Sequence, residues 1–291
     1  MSDARILDRG YRRYDGPRHG LRGAMRSLAA HSAQRALGLR RPLSSKLFPV
    51  LSVAIAYLPA LVFVGMAAFL PDDLIEQDLL PSYPEYYGFV TSAIIVFTAF
   101  VAPEVLCPDR RNGLLGLYLA SPLDRNTYLL SKAASVMGVL GLVTTGPLVL
   151  LLLAYTFEGS GPDGPDDFLL LLVRIVVAGT LVSAVYASIS LAASSATDRR
   201  AFASAGVILL LLVSSIVTAI AVEEVEGPEW LWCFNLIAMP FELAQHVFGA
   251  GAEMEDSTGL TFASVLGANL AWTAAASAFV WARYRKLAVT R

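Results

Sequence analysis

The residues of this chain able to do chemistry are few and far apart. Three histidines, His19, His31 and His246, are scattered, and the two cysteines, Cys107 and Cys233, have no His or Cys at metal-ligand spacing. An intramembrane serine hydrolase needs a Ser nucleophile beside a His at membrane depth. No run long enough to span a membrane holds a His, and none holds the two Asp residues of an aspartyl enzyme. Asp109 and Asp124 are too isolated for a metal-assisted transferase site. No GxxxxGK[ST] phosphate loop occurs, so ATP is not bound by that device. Catalysis is not expected, nor a metal site. What stands out instead is a set of charges at the ends of greasy segments: Glu104, Asp109, Arg110, Arg111, Lys132, Arg174 and Glu242.

The segments that position those charges are membrane-spanning. The chain has 291 residues, 56% hydrophobic and only 16% charged, against about a quarter charged in soluble domains. Runs of about 20 apolar residues are long enough to cross a bilayer. Six are predicted, at about 47–70, 87–104, 128–157, 168–196, 202–222 and 260–282, making the fold all-α. An apolar tract at about 228–249 is interrupted by Asn235, Pro240, Glu242 and His246. Eleven Lys and Arg precede Leu47, none lies in 71–86 or 158–167, and none lies in 223–259, which carries eight acids. Lys and Arg favour the cytoplasmic side. Both termini are therefore expected inside, and parity makes the interrupted tract a re-entrant outer hairpin, with Pro240 between its arms. The two cysteines are expected on opposite sides, which argues against a disulfide between them.

Residues 1–46 form a basic arm, and 283–291 a basic tail. In the arm Leu21, Met25, Leu28, Ser32, Ala36 and Leu39 recur at three-to-four spacing, with Arg22, Arg26 and Arg35 elsewhere around the helix. This reads as an amphipathic helix in the inner interface, touching membrane lipids. A solvated basic arm is the plainer alternative. Glu104 is expected to pair with Arg110, Arg111 or Lys132, because an unpaired carboxylate at the bilayer edge is costly. Arg174 lies about 9 Å inside the outer face at 1.5 Å per residue. Snorkelling or structural pairing is favoured there over substrate contact. Glu242 and His246, one turn apart, read as a water-exposed outer pair rather than a gate. Small residues at Gly179, Ser183 and Ala187, and at Ala263, Gly267, Ala271 and Ala275, read as packing seams.

Between spans two and three the chain leaves the membrane and builds a short half-apolar helix at about 109–121. Pro108 interrupts what precedes it, and Asp109 is placed to cap it. Ser121-Pro122 stops it, and Asp124 caps the next span. The run "DRRNGLLGLYLASPLDRNTYLLSK" after Glu104 resembles the signature of type-2 ABC transporter permeases. The matching positions are Glu104, Arg110, Arg111, Gly113, Ser121, Pro122, Leu123, Arg125 and Lys132. The acid often found after the Gly turn is replaced by neutral residues around Leu115 and Gly116. The opening "GYRRYDGPRHG" is also similar to permeases of high-GC bacteria.

The resemblance implies a permease subunit of an ATP-driven exporter in a bacterial inner membrane. A second copy or paralogue would complete the path, and a separate ABC ATPase would carry ATP and Mg. The residues implied to meet that ATPase are Asp109, Arg110, Arg111, Asn112, Gly113, Leu114, Leu115, Leu117, Tyr118, Ser121 and Pro122. Spans two and five would line the path, through Phe89, Phe97, Phe100, Ser214, Ser215 and Thr218. No cofactor is expected on this chain, and no nucleic acid. A secondary transporter or channel is the alternative, and the nearly charge-free midplane weighs against it. The topology is checked with single cysteines in a background lacking the two native ones. Asp163→Cys is expected to react with an impermeant reagent in intact cells, and Ser121→Cys is expected not to; the reverse pattern would overturn it.

Overall fold

The computed structural model describes residues 16, 19–39, 42, 45–69, 80–250 and 259–286. The acid-rich 71–79, most of the opening arm, residues 251–258 and the last five residues lie outside them, with whatever was expected of their structure. Every regular element among the described residues is helical. Six helices among the described residues are long and apolar enough to cross a membrane. They are α2 (Leu47–Phe69), α3 (Tyr83–Arg111), α5 (Arg125–Glu158), α6 (Pro165–Ala196), α7 (Arg200–Glu224) and α9 (Phe262–Lys286). The shorter ones are α1 (Gly20–Ala36), α4 (Leu115–Leu119) and α8 (Ala238–Phe248). The protein is a multi-pass membrane protein. Among the described residues, the connections with Glu158, Asp163, Glu223, Glu224 and Glu226 lie at one end of the spans and those with Arg110, Arg111, Arg125, Arg199 and Arg200 at the other, called here the acidic and basic ends.

The starts of two spans are set by reciprocal caps. Ser82 accepts the Glu85 N–H and the Glu85 carboxylate accepts the Ser82 N–H at 2.7 Å, with Pro84 in the first turn. Asp124 accepts the Thr127 N–H at 2.8 Å, while the Thr127 hydroxyl approaches the Asp124 N–H at 2.9 Å. Each box satisfies amide groups that the first helical turn cannot. Asp124 was legible as a cap; Ser82 pulls span two four residues earlier than expected.

Span two also runs on past Glu104 to Arg111, in an irregular form. A π-helical turn at Phe97–Val101 leads into a 3-10 turn at Ala102–Glu104. Pro103 lies in that 3-10 turn; it has no N–H to donate, and its ring clashes with the carbonyl four residues back, so regular winding fails there. Span three is interrupted in the same way at Thr145, just before Gly146-Pro147.

α6 contacts α5, α7, α8 and α9 and so forms the middle of the bundle. Its predicted seam is real. Gly179, Ser183 and Ala187 are buried. Thr144 of α5 donates to the Gly179 carbonyl at 3.2 Å, and its hydroxyl lies 2.9 Å from that of Ser183. The second stripe behaves otherwise. Ala263, Gly267, Ala271 and Ala275 are exposed on α9, whose buried face carries Val265, Asn269, Val280 and Tyr284.

The tract predicted as an outer hairpin also differs from expectation. A 3-10 turn (Glu229–Phe234) and α8 meet at Asn235, whose Oδ1 accepts the N–H groups of Ile237 and Ala238 at 3.1 and 2.9 Å. The Asn side chain makes the bend. Pro240 sits inside the first turn of α8, where a missing N–H removes no helical bond.

A Cβ on Gly179 would run into the Thr145 hydroxyl. Gly179→Leu is therefore expected to force α5 from α6 and cost about 1–3 kcal/mol by overpacking. Gly206→Leu, where the space is open, is the control. Thermal unfolding in detergent checks the pair: Gly179→Leu should lower the midpoint and Gly206→Leu should not.

Candidate functional site

The strongest concentration of charge lies at the basic end, where α1, α3 and α5 meet. Asp109, in the last turn of α3, is 1% exposed. Its Oδ1 accepts from Arg35 at 2.7 Å, and its Oδ2 accepts from Lys132 at 2.6 Å and from the Tyr128 hydroxyl at 3.0 Å. Lys132, fully buried, also donates to Ser32 at 2.9 Å and to the Val105 carbonyl at 3.1 Å. Arg35 donates to that same carbonyl at 2.9 Å. A carboxylate taken from water is tolerated only when its charge is matched and its lone pairs are filled. Here three donors from two other helices do so.

This corrects two expectations. Asp109 is not a helix cap displayed to a partner; it is an interior anchor. Lys132 binds Asp109, and Glu104 forms an ion pair with Arg200 of α7. Arg200 also donates to the Phe100 carbonyl at 2.7 Å. The Glu104 pairing was sought among charges nearby in sequence, whereas Arg200 is 96 residues away.

Arg110 is also turned inward. It donates to the carbonyls of Ser195 and, at 3.2 Å, Thr197, at the end of α6. Arg283 of α9 reaches the carbonyls of Ser195 and Ala196 at 3.2 and 3.1 Å. The last carbonyls of a helix have no internal partner and carry partial negative charge. Two arginines serve those of α6.

Beyond this anchor the chain turns at Asn112-Gly113-Leu114. Gly113 has φ 63°, a left-handed conformation that glycine adopts without steric cost. α4 follows. Leu115 and Tyr118 pack against the core, and the Tyr118 ring lies 5.5 Å from that of Tyr128. Tyr128 in turn lies 6.0 Å from Tyr284 of α9. Burial, then the nearby Asp109 charge, raises the Tyr118 pKa. Leu114 is half-buried like Leu115, whereas Leu117 is 71% exposed. Arg111, Asn112, Gly113, Ser121 and Pro122 are exposed with it. Of the eleven residues expected to meet a partner, then, Asp109 is buried and Arg110 is committed elsewhere.

The other predicted residues are held structurally. Arg174 donates to the Phe248 carbonyl at 2.9 Å, capping the C-terminal end of α8, which agrees with structural pairing. Glu242 is 2% exposed and His246 half-buried, 5.5 Å from the Phe262 ring. A water-exposed pair is ruled out for Glu242, because α8 packs its Glu242 face against other helices. Phe97 is buried in the core, and Phe89 is half exposed. Ser214 donates to the Leu211 carbonyl and accepts the Leu236 N–H, so it ties α7 to the hairpin. Thr218 donates to the carbonyls of Ser214 and Ser215. Phe100 stacks on Phe48 at 4.3 Å. Among the predicted path residues Phe100 does line a cavity, of about 400 Å³, with Phe48, Arg200, Ser204 and Ile208 of α2 and α7.

Residues 45–287 match the family model of the ABC-2 family transporter proteins. The chain belongs to that family. No curated protein matches it. Six spans and ABC-2 membership together make it a membrane transport permease. Sequence reasoning missed Arg35, Arg200 and Arg283 as structural cations of this permease. A signal for Arg35 was present, since it follows Ser32 by three and flanks the buried Leu28–Ser32–Ala36 face.

Removing one partner of a buried ion pair leaves the other uncompensated. Asp109→Ala is expected to cost about 3–5 kcal/mol. Adding Lys132→Met should recover part of that loss, because the stranded cation is then gone. A double-mutant cycle on unfolding in detergent checks the coupling; additive losses would contradict it.

Proposed function

We propose that this permease is the membrane subunit of an ATP-driven exporter, coupled through residues 109–121 to a separate ABC ATPase that binds ATP and Mg. The observation that carries the reading is α4. It is a short helix presented at the basic end, with an exposed apolar residue at Leu117 and rigid connections on both sides. On one side stands the Asp109 anchor, and on the other the Asp124–Thr127 cap. An element fixed this firmly transmits displacement to the spans; a plain connecting loop needs none of these restraints.

The partner-facing surface is Arg111, Asn112, Gly113, Leu117, Ser121 and Pro122, with Leu114, Leu115 and Tyr118 beneath. Arg110 and Asp109 act behind it, tying the surface to α6, α1 and α5. Closure of the ATPase pair would then move these helices as one block. In this reading the basic end is cytoplasmic, with both termini inside a bacterial inner membrane, and α1 lies along the inner face. A second copy or paralogue completes the path. The cavity at Phe48, Phe100, Arg200 and Ile208 is largely apolar, and the Arg200 charge is already paired with Glu104. That supports an amphipathic or apolar substrate.

The test is co-purification of the tagged chain with its ATPase in mild detergent. Leu117→Asp is expected to reduce ATPase recovery by tenfold or more, roughly the loss of one well-buried anchor, while the spans keep their thermal stability. Arg110→Glu is expected to lower stability instead, because it puts a negative charge against the end of α6. ATPase recovery unaffected by Leu117→Asp would remove α4 as the joint.

A further inference from the structure

We propose that the cleft between α5 and α9 at the basic end binds one anionic phospholipid from the leaflet at that end. The cleft has a deep apolar part of about 340 Å³, walled by Leu129, Leu130, Ala133, Leu191, Val280 and Trp281. This volume falls in the range that holds small ligands. A second cavity of about 330 Å³ lies toward the end of the spans, lined by Asp124, Arg125, Asn126, Trp281 and Arg285. Asn126 and Trp281 line both.

These two residues form a sill between the parts, since the Trp281 indole N–H donates to Asn126 Oδ1 at 3.2 Å. The Arg285 guanidinium stands 4.5 Å from the Trp281 ring centroid, a cation–π arrangement that fixes both groups. Arg125 donates to the Arg285 carbonyl at 2.7 Å and so joins the first turn of α5 to the last turn of α9. Among the described residues that line it, this second cavity carries two guanidinium groups and one carboxylate, Asp124. Hydrogen bonds from the Thr127 side chain and backbone lower the Asp124 pKa, so that carboxylate stays ionised at neutral pH.

The order along the span axis is cationic mouth, indole sill, apolar cleft. In a leaflet the matching order is phosphate, glycerol backbone, acyl chain. Trp side chains favour the headgroup level, and Arg near an anionic surface gains about 1 kcal/mol each, or roughly fivefold in binding. The cleft also lies on the walls of two membrane spans, where lipid rather than water is the surrounding solvent. Charge complementarity favours an anionic over a zwitterionic headgroup. None of this rests on the exporter reading.

The test uses the full chain in phosphatidylcholine vesicles. Brominated phosphatidylglycerol or brominated phosphatidylcholine is titrated in, and the quenching of Trp281 is read as the difference between the wild-type chain and Trp281→Phe. Brominated phosphatidylglycerol is expected to associate several-fold more strongly. Arg125→Gln combined with Arg285→Gln should abolish that preference. Asp124→Asn should increase it by a few-fold, and Asn retains the helix cap, so this variant decides the question if the double substitution fails to fold. Ala133→Phe should reduce quenching by both lipids by filling the cleft. Equal quenching by the two lipids in the wild-type chain would overturn the proposal. So would a preference unmoved by Asp124→Asn, or no quenching at all because a protein partner covers the cleft.

Discussion

Burying the Asp109 carboxylate is the constraint from which the basic end follows. An ion leaving water loses several kcal/mol even after relaxation, and Asp109 recovers this only where donors converge on it from outside its own helix. Lys132 and Tyr128 supply them from α5, and Arg35 supplies one from α1. The requirement fixes the rotation of all three helices. It also fixes α4, because the Tyr118 ring packs beside Tyr128, whose hydroxyl is held by the same carboxylate. An N-terminal segment outside the six spans is thereby built into their base.

A second use of charge runs through the molecule: cations placed at the C-terminal ends of helices. Arg110 and Arg283 take the last carbonyls of α6, and Arg174 takes the end of α8. In a bilayer these carbonyls cannot turn to water, so each end needs a donor from the protein. This accounts for ionisable residues near the membrane faces without assigning them to a substrate path. It also explains why adjacent arginines differ. Successive residues are about 100° apart around a helix, so Arg110 faces α6 while Arg111 faces solvent.

The spans, the caps at Asp124 and the Gly179 seam were legible in the sequence because each rests on local signals: apolar length, cap residues and small-residue spacing. The charge partners were not. Glu104 with Arg200, and Asp109 with Arg35, join positions far apart in the chain, and nothing in the local pattern selects among cations of equal distance from the bilayer edge. Pro240 misled because proline marks both a break and the first turn of a helix; the side chain of Asn235 decides which. Glu242 misled because an acid is usually exposed, whereas α8 packs its Glu242 face inward. The α9 stripe is exposed on this chain: small residues show only that close approach is possible, not which neighbour makes it.

The restraints are unevenly distributed, and this bears on how such a permease would move. α1, α3, α5, α6 and α9 are tied at the basic end by buried or carbonyl-directed charges. α7 meets α3 there through the Arg200–Glu104 pair and the Phe100 carbonyl, beside a cavity that separates it from Phe48 of α2. The Arg200 side chain is 36% exposed and that of Glu104 13%; a pair with one exposed member stabilises less than a fully buried one. Displacement applied at α4 would therefore be carried by the tied block, and the relative motion would fall where the ties are weakest, along α7 and α2. Under the exporter reading that is also where the substrate cavity lies, so the force and the opening are joined by the uneven strength of a few ion pairs.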